Sequence, residues 1–272
     1  MQNRMAKKKW GQNFLISQKV VESIVQAADV KNGDSILEIG PGLGILTRAL
    51  LDRNSQVTAI EIDPELCVKL RKRFSKEERF TLLEKDVMEL APEDLANLIP
   101  APAKVVANLP YNIATPLILR MLPVRKAWQS LTLMIQYEVA ERICATPESG
   151  KAYGPLSLVG ELGFEKKIIK KIHPESFKPV PKVDSAVIRL LPRESGLPPE
   201  DEKRFLKWSH LLFQQRRKTL MNGIRQHFPE WYQNCGDSLR DEFGLRRPET
   251  LDFTEWMTLF SDYLQNEQNE IC

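Results

Sequence analysis

The tetrapeptide Asn108-Leu109-Pro110-Tyr111 holds the residue types that would let an amine be methylated. The exocyclic amine of adenine is a poor nucleophile because its lone pair is delocalised into the ring. Two acceptors aimed at its two hydrogens favour the pyramidal form, whose lone pair can then reach a methyl sulfonium. The Asn108 side-chain carbonyl is one such acceptor. The Leu109 main-chain carbonyl would be the other, with Pro110 restricting the backbone that carries it. Tyr111 offers a ring on which an extruded base can stack. No general base of shifted pKa is needed, since the ammonium product loses its proton to water. Catalysis is then positioning plus dipole stabilisation. The competing explanation is an ordinary turn after a buried strand, a place that Asn, Pro and Tyr also populate.

A second cluster suits an adenosine-bearing cofactor. Glu38-Ile39-Gly40-Pro41-Gly42-Leu43-Gly44 falls between a strand and a helix, where glycines permit a sharp turn and close approach of a ligand. The spacing of Gly40, Gly42 and Gly44 is G-x-G-x-G, not the G-x-G-x-x-G of dinucleotide binders. Glu61 ends the next strand, 21 positions after Gly40, where a carboxylate can accept both ribose hydroxyls. Asp86 ends the strand after that and can accept a hydrogen bond from an adenine amine, with Ile62 and Val87 flanking the ring. Singly, a glycine loop also fits a dinucleotide, and strand-end acids are common on surfaces. Three elements in register on consecutive strands favour a nucleoside without a pyrophosphate.

These residues need an open α/β sheet to hold them. Short β-rich runs alternate with helical stretches along the first 190 residues. Strands are expected at Ser35–Ile39, Gln56–Glu61, Phe80–Leu83, Val105–Ala107 and Leu131–Gln136, and helices at 17–28, 45–52, 64–74 and 138–144. Phe164–Ile172 and Ala186–Leu190 read as two further strands with no helix between them, which an antiparallel edge pair accommodates. Pro192 to Pro199 is a Pro/Gly linker, and helical periodicity dominates beyond it. The expected organisation is a Rossmann-like α/β domain over 1–193 and a small all-α domain over 194–272.

Composition narrows the class. Of 272 residues, 42% are hydrophobic and 28% charged, ordinary values for a globular chain with a full core. No run approaches the roughly 18 apolar residues of a membrane span, and the N-terminus lacks a signal-peptide core, so a cytoplasmic chain is expected. Met1–Met5 fits no motif, and Met5 is an alternative start. Cys67, Cys144, Cys235 and Cys272 form no C-x-x-C pair, and His173, His210 and His227 lack ligand spacing; no disulfide or metal is expected. Net charge is only +3, but cations gather at Arg4-Lys7-Lys8-Lys9, Lys166–Lys182 and Lys203–Arg225. Such patches fit a phosphate-tracking face, and equally three solvated faces. No unexplained apolar surface stripe stands out, so a monomer is expected.

Gly11-Gln12-Asn13-Phe14-Leu15, the Gly40 loop, Asp86 and Asn108-Leu109-Pro110-Tyr111-Asn112-Ile113 together resemble the ribosomal RNA adenine dimethyltransferase family, from about Lys9 to about Asp262. The likeness is strongest to the bacterial branch that dimethylates two adjacent adenosines in a hairpin near the 3′ end of 16S RNA. It implies S-adenosylmethionine as cofactor and the small ribosomal subunit, or its assembly precursor, as partner. It implies that Asn13 and Leu15 form a lid over the cofactor, and that Gly40, Glu61, Asp86 and Asn108 contact it. Phe177, in the segment Pro174–Val187, would stack on the target base opposite Tyr111; without the family it reads as a packed loop aromatic. Arg216, Arg217 and Lys218 would contact RNA through phosphates, which position a substrate without reading its sequence. A solvated helix face competes for those three.

The related large-subunit RNA methyltransferases that confer macrolide resistance share the cofactor and catalytic segments. The 174–187 and 213–220 segments favour the small-subunit branch. A DNA adenine methyltransferase would need a target-recognition insert, and a nicotinamide dehydrogenase a further loop glycine and a proton donor. An assembly factor that acts by binding alone would not need Glu61 or Asn108 to Tyr111.

Overall fold

A computed structural model of the chain describes residues 13–271. Gly11, Gln12, the Arg4–Lys9 cations, the two candidate start methionines and Cys272 lie outside the described residues. The described chain falls into two compact units, one of residues up to Glu141 with Gly163–Arg193, the other of Arg142–Leu162 with residues from Glu194 onward.

The first unit is a Rossmann-like α/β unit. Its elements are β1 (Phe14–Leu15), α1 (Gln18–Ala27), β2 (Ser35–Ile39), α2 (Ile45–Leu51), β3 (Gln56–Glu61), α3 (Pro64–Arg73), β4 (Phe80–Glu84), α4 (Pro92–Ala96), β5 (Ala103–Asn108), α5 (Ala114–Met121) and β6 (Trp128–Gln136). After α6 (Tyr137–Cys144) and α7 (Pro155–Gly163), which run into and out of the second unit, come β7 (Phe164–Ile172), β8 (Phe177–Lys178) and β9 (Ser185–Pro192). Seven strands form one sheet in the order β4-β3-β2-β5-β6-β9-β7. The strands β2 to β6 are mutually parallel. Helix-covered parallel strands are buried on both faces, and β5 accordingly runs Ala103–Ala107 without an exposed residue.

Helix starts follow local chemistry. Asp63 accepts the Glu65 amide at 3.0 Å and Pro64 follows as the first helical residue, while Arg71, Lys72 and Arg73 meet the negative end of α3. Ser17 stands at the N-cap position of α1, but its hydroxyl makes no capping bond.

The expected antiparallel edge pair needs one refinement. β9 is antiparallel to both neighbours, β6 and β7, and lies inside the sheet. The edge strand β7 therefore runs in the same direction as the rest. The polypeptide turns back after β7 and inserts β9 between two strands already formed in the chain, which no local pattern signals. β1 and β8, unforeseen as strands, pair as a separate two-stranded antiparallel ribbon.

The second unit contains α8 (Pro199–Phe213), α9 (Leu220–His227), α10 (Pro229–Asn234), α11 (Asp237–Phe243) and α12 (Phe253–Ile271). Its core is aromatic: Trp208, Trp231, Trp256, Phe205, Phe260 and Phe243 are buried. The Trp231 indole donates to Asp262 at 2.6 Å, which satisfies its buried polar end. The expected boundary at 193/194 coincides with a division of the chain, but 142–162 groups with the helices instead of the sheet. Hydrogen bonds across long sequence separations account for this. Tyr153 donates its hydroxyl to the Leu251 carbonyl at 2.7 Å, and Arg216 donates to the carbonyls of Gly150, Lys151 and Tyr153. Among the described residues no helix is long and apolar enough to cross a membrane.

Candidate active site

The strand order reverses about β2, which has β3 on one side and β5 on the other. Ligands of open α/β sheets bind at such a switch point, outside the carboxyl ends of the strands. A cavity of the first unit lies there. Its lining includes Gly40 and Gly42 after β2, Glu61 and Ile62 at the end of β3, and Asp86 and Val87 after β4. Asn108, Leu109, Pro110 and Tyr111 follow β5 into the same cavity, and Asn13, Leu15 and Phe177 complete it.

The glycine loop is shaped by its backbone. Gly40, Gly42 and Gly44 have φ of +67°, +57° and +76°, the left-handed region that side chains disfavour. A Cβ on Gly42 would lie 3.2 Å from the Phe14 ring, and one on Gly40 would lie 3.7 Å from Pro110. The loop thus touches both the N-terminal segment and the Asn108–Tyr111 segment. Gly44 differs. It does not line the cavity; a Cβ there would meet Phe74 at 2.8 Å and Leu70 at 2.9 Å. The third glycine of the motif allows the close packing of α2 against α3.

Glu61 is no exposed strand-end acid. It is 5% exposed, and its carboxylate accepts the Gly42 amide at 3.2 Å and the Asp63 amide at 3.0 Å. Burial raises its pKa, opposed by the amides of Asp63, Gly42 and Ile62. Asp86 is half-buried and spends one oxygen on the Met88 amide at 2.8 Å. Val87 is buried beside it.

After β5, the Leu109 amide donates to the Met134 carbonyl at 3.0 Å and ties the segment to β6. The Ile113 amide closes a turn onto the Pro110 carbonyl at 3.1 Å. The hydroxyls of Tyr111 and Ser185 are 2.9 Å apart, which fixes the half-buried ring from its far end. Burial raises the Tyr111 pKa against the pull of Ser185. Phe177 is buried and pairs in register with Leu15 across the β1–β8 ribbon, while Ile16 donates to the Ser176 carbonyl at 2.9 Å. Segments more than 160 positions apart in sequence therefore enter the cavity as one unit.

Two lining residues stand inside motifs of the sequence without a role assigned to them there. Phe14 contacts the loop at Gly42. Glu38, two residues before Gly40, is 1% exposed, and neither of its oxygens has a hydrogen-bond partner. A charged residue in the apolar run Ser-Ile-Leu-Glu-Ile was the available signal.

A family model described as Ribosomal RNA adenine dimethylase matches residues 3–237. This chain belongs to that family. It is thus a ribosomal RNA-modifying enzyme, an adenine dimethyltransferase. The dimethylase is 40% identical over 267 residues to Ribosomal RNA small subunit methyltransferase A of Lactobacillus helveticus, spanning 93% of this chain and 90% of that protein. Its fold matches the crystal structure of a dimethyladenosine transferase from Plasmodium falciparum with a TM-score of 0.78 at 26% identity, over 93% and 98% of the two chains. The structure of 23S rRNA methyltransferase ErmE matches with a TM-score of 0.67 at 29% identity, over 92% and 99%.

The three cations expected to meet RNA in this dimethylase do not stand alike. They occupy a turn between α8 and α9 and not a helix face. Arg217 and Lys218 are exposed. Arg216 is consumed internally, donating to Glu249 at 2.7 Å and to the three carbonyls of the 150–153 segment. It holds the turn in place and leaves its neighbours to face solvent. On β7, Lys171 pairs with Asp184 at 2.8 Å and Lys170 donates to Ser23, whereas Lys167 and the nearby Lys178 and Lys182 are exposed.

Proposed function

We propose that this dimethylase transfers methyl groups from S-adenosylmethionine to the N6 amines of two adjacent adenosines, in a hairpin near the 3′ end of 16S ribosomal RNA. It would do so in the cytoplasm, as a monomer, on the small ribosomal subunit or its assembly precursor. One observation carries the reading: the glycine loop with Glu61 and Asp86, and the Asn108–Tyr111 segment with Phe177, line one cavity.

The residues present fit the cofactor. The left-handed backbone at Gly40 and Gly42 disfavours side chains, and the loop without them lets a ligand come close to it. Glu61 and Asp86 stand at neighbouring strand ends, each followed by an apolar lining residue, Ile62 and Val87, a polar and apolar set suited to ribose and adenine. Buried Glu38 has two unpartnered acceptor oxygens, which suits a ligand with a cationic end. When bound, S-adenosylmethionine supplies an electrophilic methyl group on a sulfonium.

The protein's part is to hold the amine. Asn108 accepts one amine hydrogen through its side-chain carbonyl and Leu109 the other through its main chain, which raises the nucleophilicity of the nitrogen. Tyr111, tethered through Ser185, and Phe177, fixed by the ribbon, stack on the two faces of the extruded base. Arg217 and Lys218 contact phosphates and orient the particle. The small subunit is favoured over the large because the relative at 40% identity is named for the small subunit, whereas ErmE, at 29%, is named for 23S rRNA.

Methyl transfer from labelled S-adenosylmethionine to unmethylated small and large subunits tests this. Dimethyladenosine in 16S RNA alone is expected. Label confined to the large subunit would overturn the substrate, and binding without transfer would leave an assembly factor.

A further inference from the structure

Glu38 stands apart from the other acids of the cavity. Glu61 has two backbone amides and Asp86 has one, but both Glu38 oxygens are buried and unpartnered. On β2 it is flanked by Ala59 of β3 and Val106 of β5, neither of which offers a polar side chain. The groups that face it are few. Glu61 on β3 is a like charge, and from α2 only the Thr47 hydroxyl and amide lie close enough to favour an ionised carboxylate. Lys85, Asp86 and Tyr111 also line the cavity but do not contribute at Glu38.

A carboxylate so enclosed is disfavoured, because desolvation penalises the charge by more than the Thr47 hydroxyl and amide offset. A cation in the cavity would reverse that balance. We propose that Glu38 is stored as the neutral acid and is ionised by the cationic end of the arriving methyl donor, so that cofactor binding expels one proton. The inference rests on the reading of this cavity as an S-adenosylmethionine site. The Glu38 O–H bond breaks, its proton passes to solvent, and the carboxylate stays behind as the partner of the ligand's charge. Burial, aided by Glu61, pushes the empty-site pKa up to about 8, inside the range where the exchange is felt near neutrality.

The sign follows from linkage. Ligand binding favours the deprotonated form, so affinity rises with pH below the empty-site pKa and levels off above it. Between pH 6 and 7, below the range in which an α-amino group titrates, affinity should rise about tenfold.

The test is calorimetric titration of S-adenosylmethionine into the full-length protein at pH 6.5, repeated in buffers of different ionisation enthalpy. Release of close to one proton per site is expected, together with the roughly tenfold gain from pH 6 to 7. Glu38→Gln should abolish most of the release and flatten the pH dependence. Glu61→Gln, which leaves Glu38 in place, should bind more weakly and still release the proton. Binding without proton release by the wild-type protein overturns the inference and leaves the cofactor assignment standing. Loss of the release in Glu61→Gln also overturns it, whether or not Glu38→Gln folds. Absence of binding overturns both.

Discussion

The two walls of the cavity are built differently. The wall formed by Gly40, Gly42, Glu61 and Asp86 comes from consecutive strand ends, each next to its neighbour in the parallel sheet. The second wall joins Asn108–Tyr111, after a single strand, to Phe177 and Leu15, which come from opposite ends of the unit and meet only in the β1–β8 ribbon. The first wall is held by backbone amides on Glu61, and the second by the Tyr111–Ser185 contact and the ribbon register. A site that must keep a cofactor and admit a macromolecule can use both constructions. Under the proposed function, the strand ends would take the cofactor and the lining assembled from distant segments would take the base.

Substitutions on each wall should separate the two roles. The largest effect is expected from Asn108→Ala. It should lower single-turnover methyl transfer by about 10²–10³-fold or more, the cost of removing one preorganised acceptor, with RNA binding largely intact. Near-wild-type transfer would remove Asn108 from the chemistry. Glu61→Ala should act on the other wall, weakening cofactor binding by roughly 10–100-fold, since a charged hydrogen-bond acceptor is worth about 1.5–3 kcal/mol. Unchanged affinity by calorimetry would sink the ribose assignment.

Smaller effects sharpen the boundary of the site. Gly44→Ala should cost about 1–3 kcal/mol of stability in urea unfolding, from a left-handed backbone and the approach to Phe74 and Leu70, while cofactor affinity changes little. A large affinity loss at unchanged stability would return Gly44 to the cavity. Arg217→Ala should weaken RNA binding several-fold and reduce its salt slope by about one. Arg216→Ala should instead loosen the second unit by about 1 kcal/mol, a value kept small because the ion pair with Glu249 is partly exposed. Equal effects of the two on RNA binding would show that the turn acts as a whole.

The legible and illegible parts of the fold divide along sequence distance. Ser35–Ile39, Gln56–Glu61 and Phe164–Ile172 are strands at the residues where apolar runs and turn signals place them. The helices after the glycine loop and after Asp63 begin where caps and glycines allow. By contrast, Phe14–Leu15 and Phe177–Lys178 are strands of two residues each, too short to carry a period and formed only because each meets the other. Arg216 reads as one of three free cations, and its engagement with Glu249 and the 150–153 carbonyls depends on a segment over 60 positions away. Glu38 reads as part of a strand, and burial makes it a chemical group of its own.

What the sequence alone determined is therefore the local chemistry: a glycine loop between a strand and a helix, two strand-end acids, and a tetrapeptide whose residue types could hold an amine. Backbone propensity, glycine stereochemistry and strand periodicity act over a few residues, so their outcome is written where it occurs. Only the tertiary structure decided that β9 enters between β6 and β7, that 142–162 joins the helical unit, and that Phe177 and Leu15 close one cavity with Asn108. Those outcomes depend on which distant backbone edges pair and which polar groups are left without water. They are set by the free energy of the whole fold and not by the pattern of any one segment.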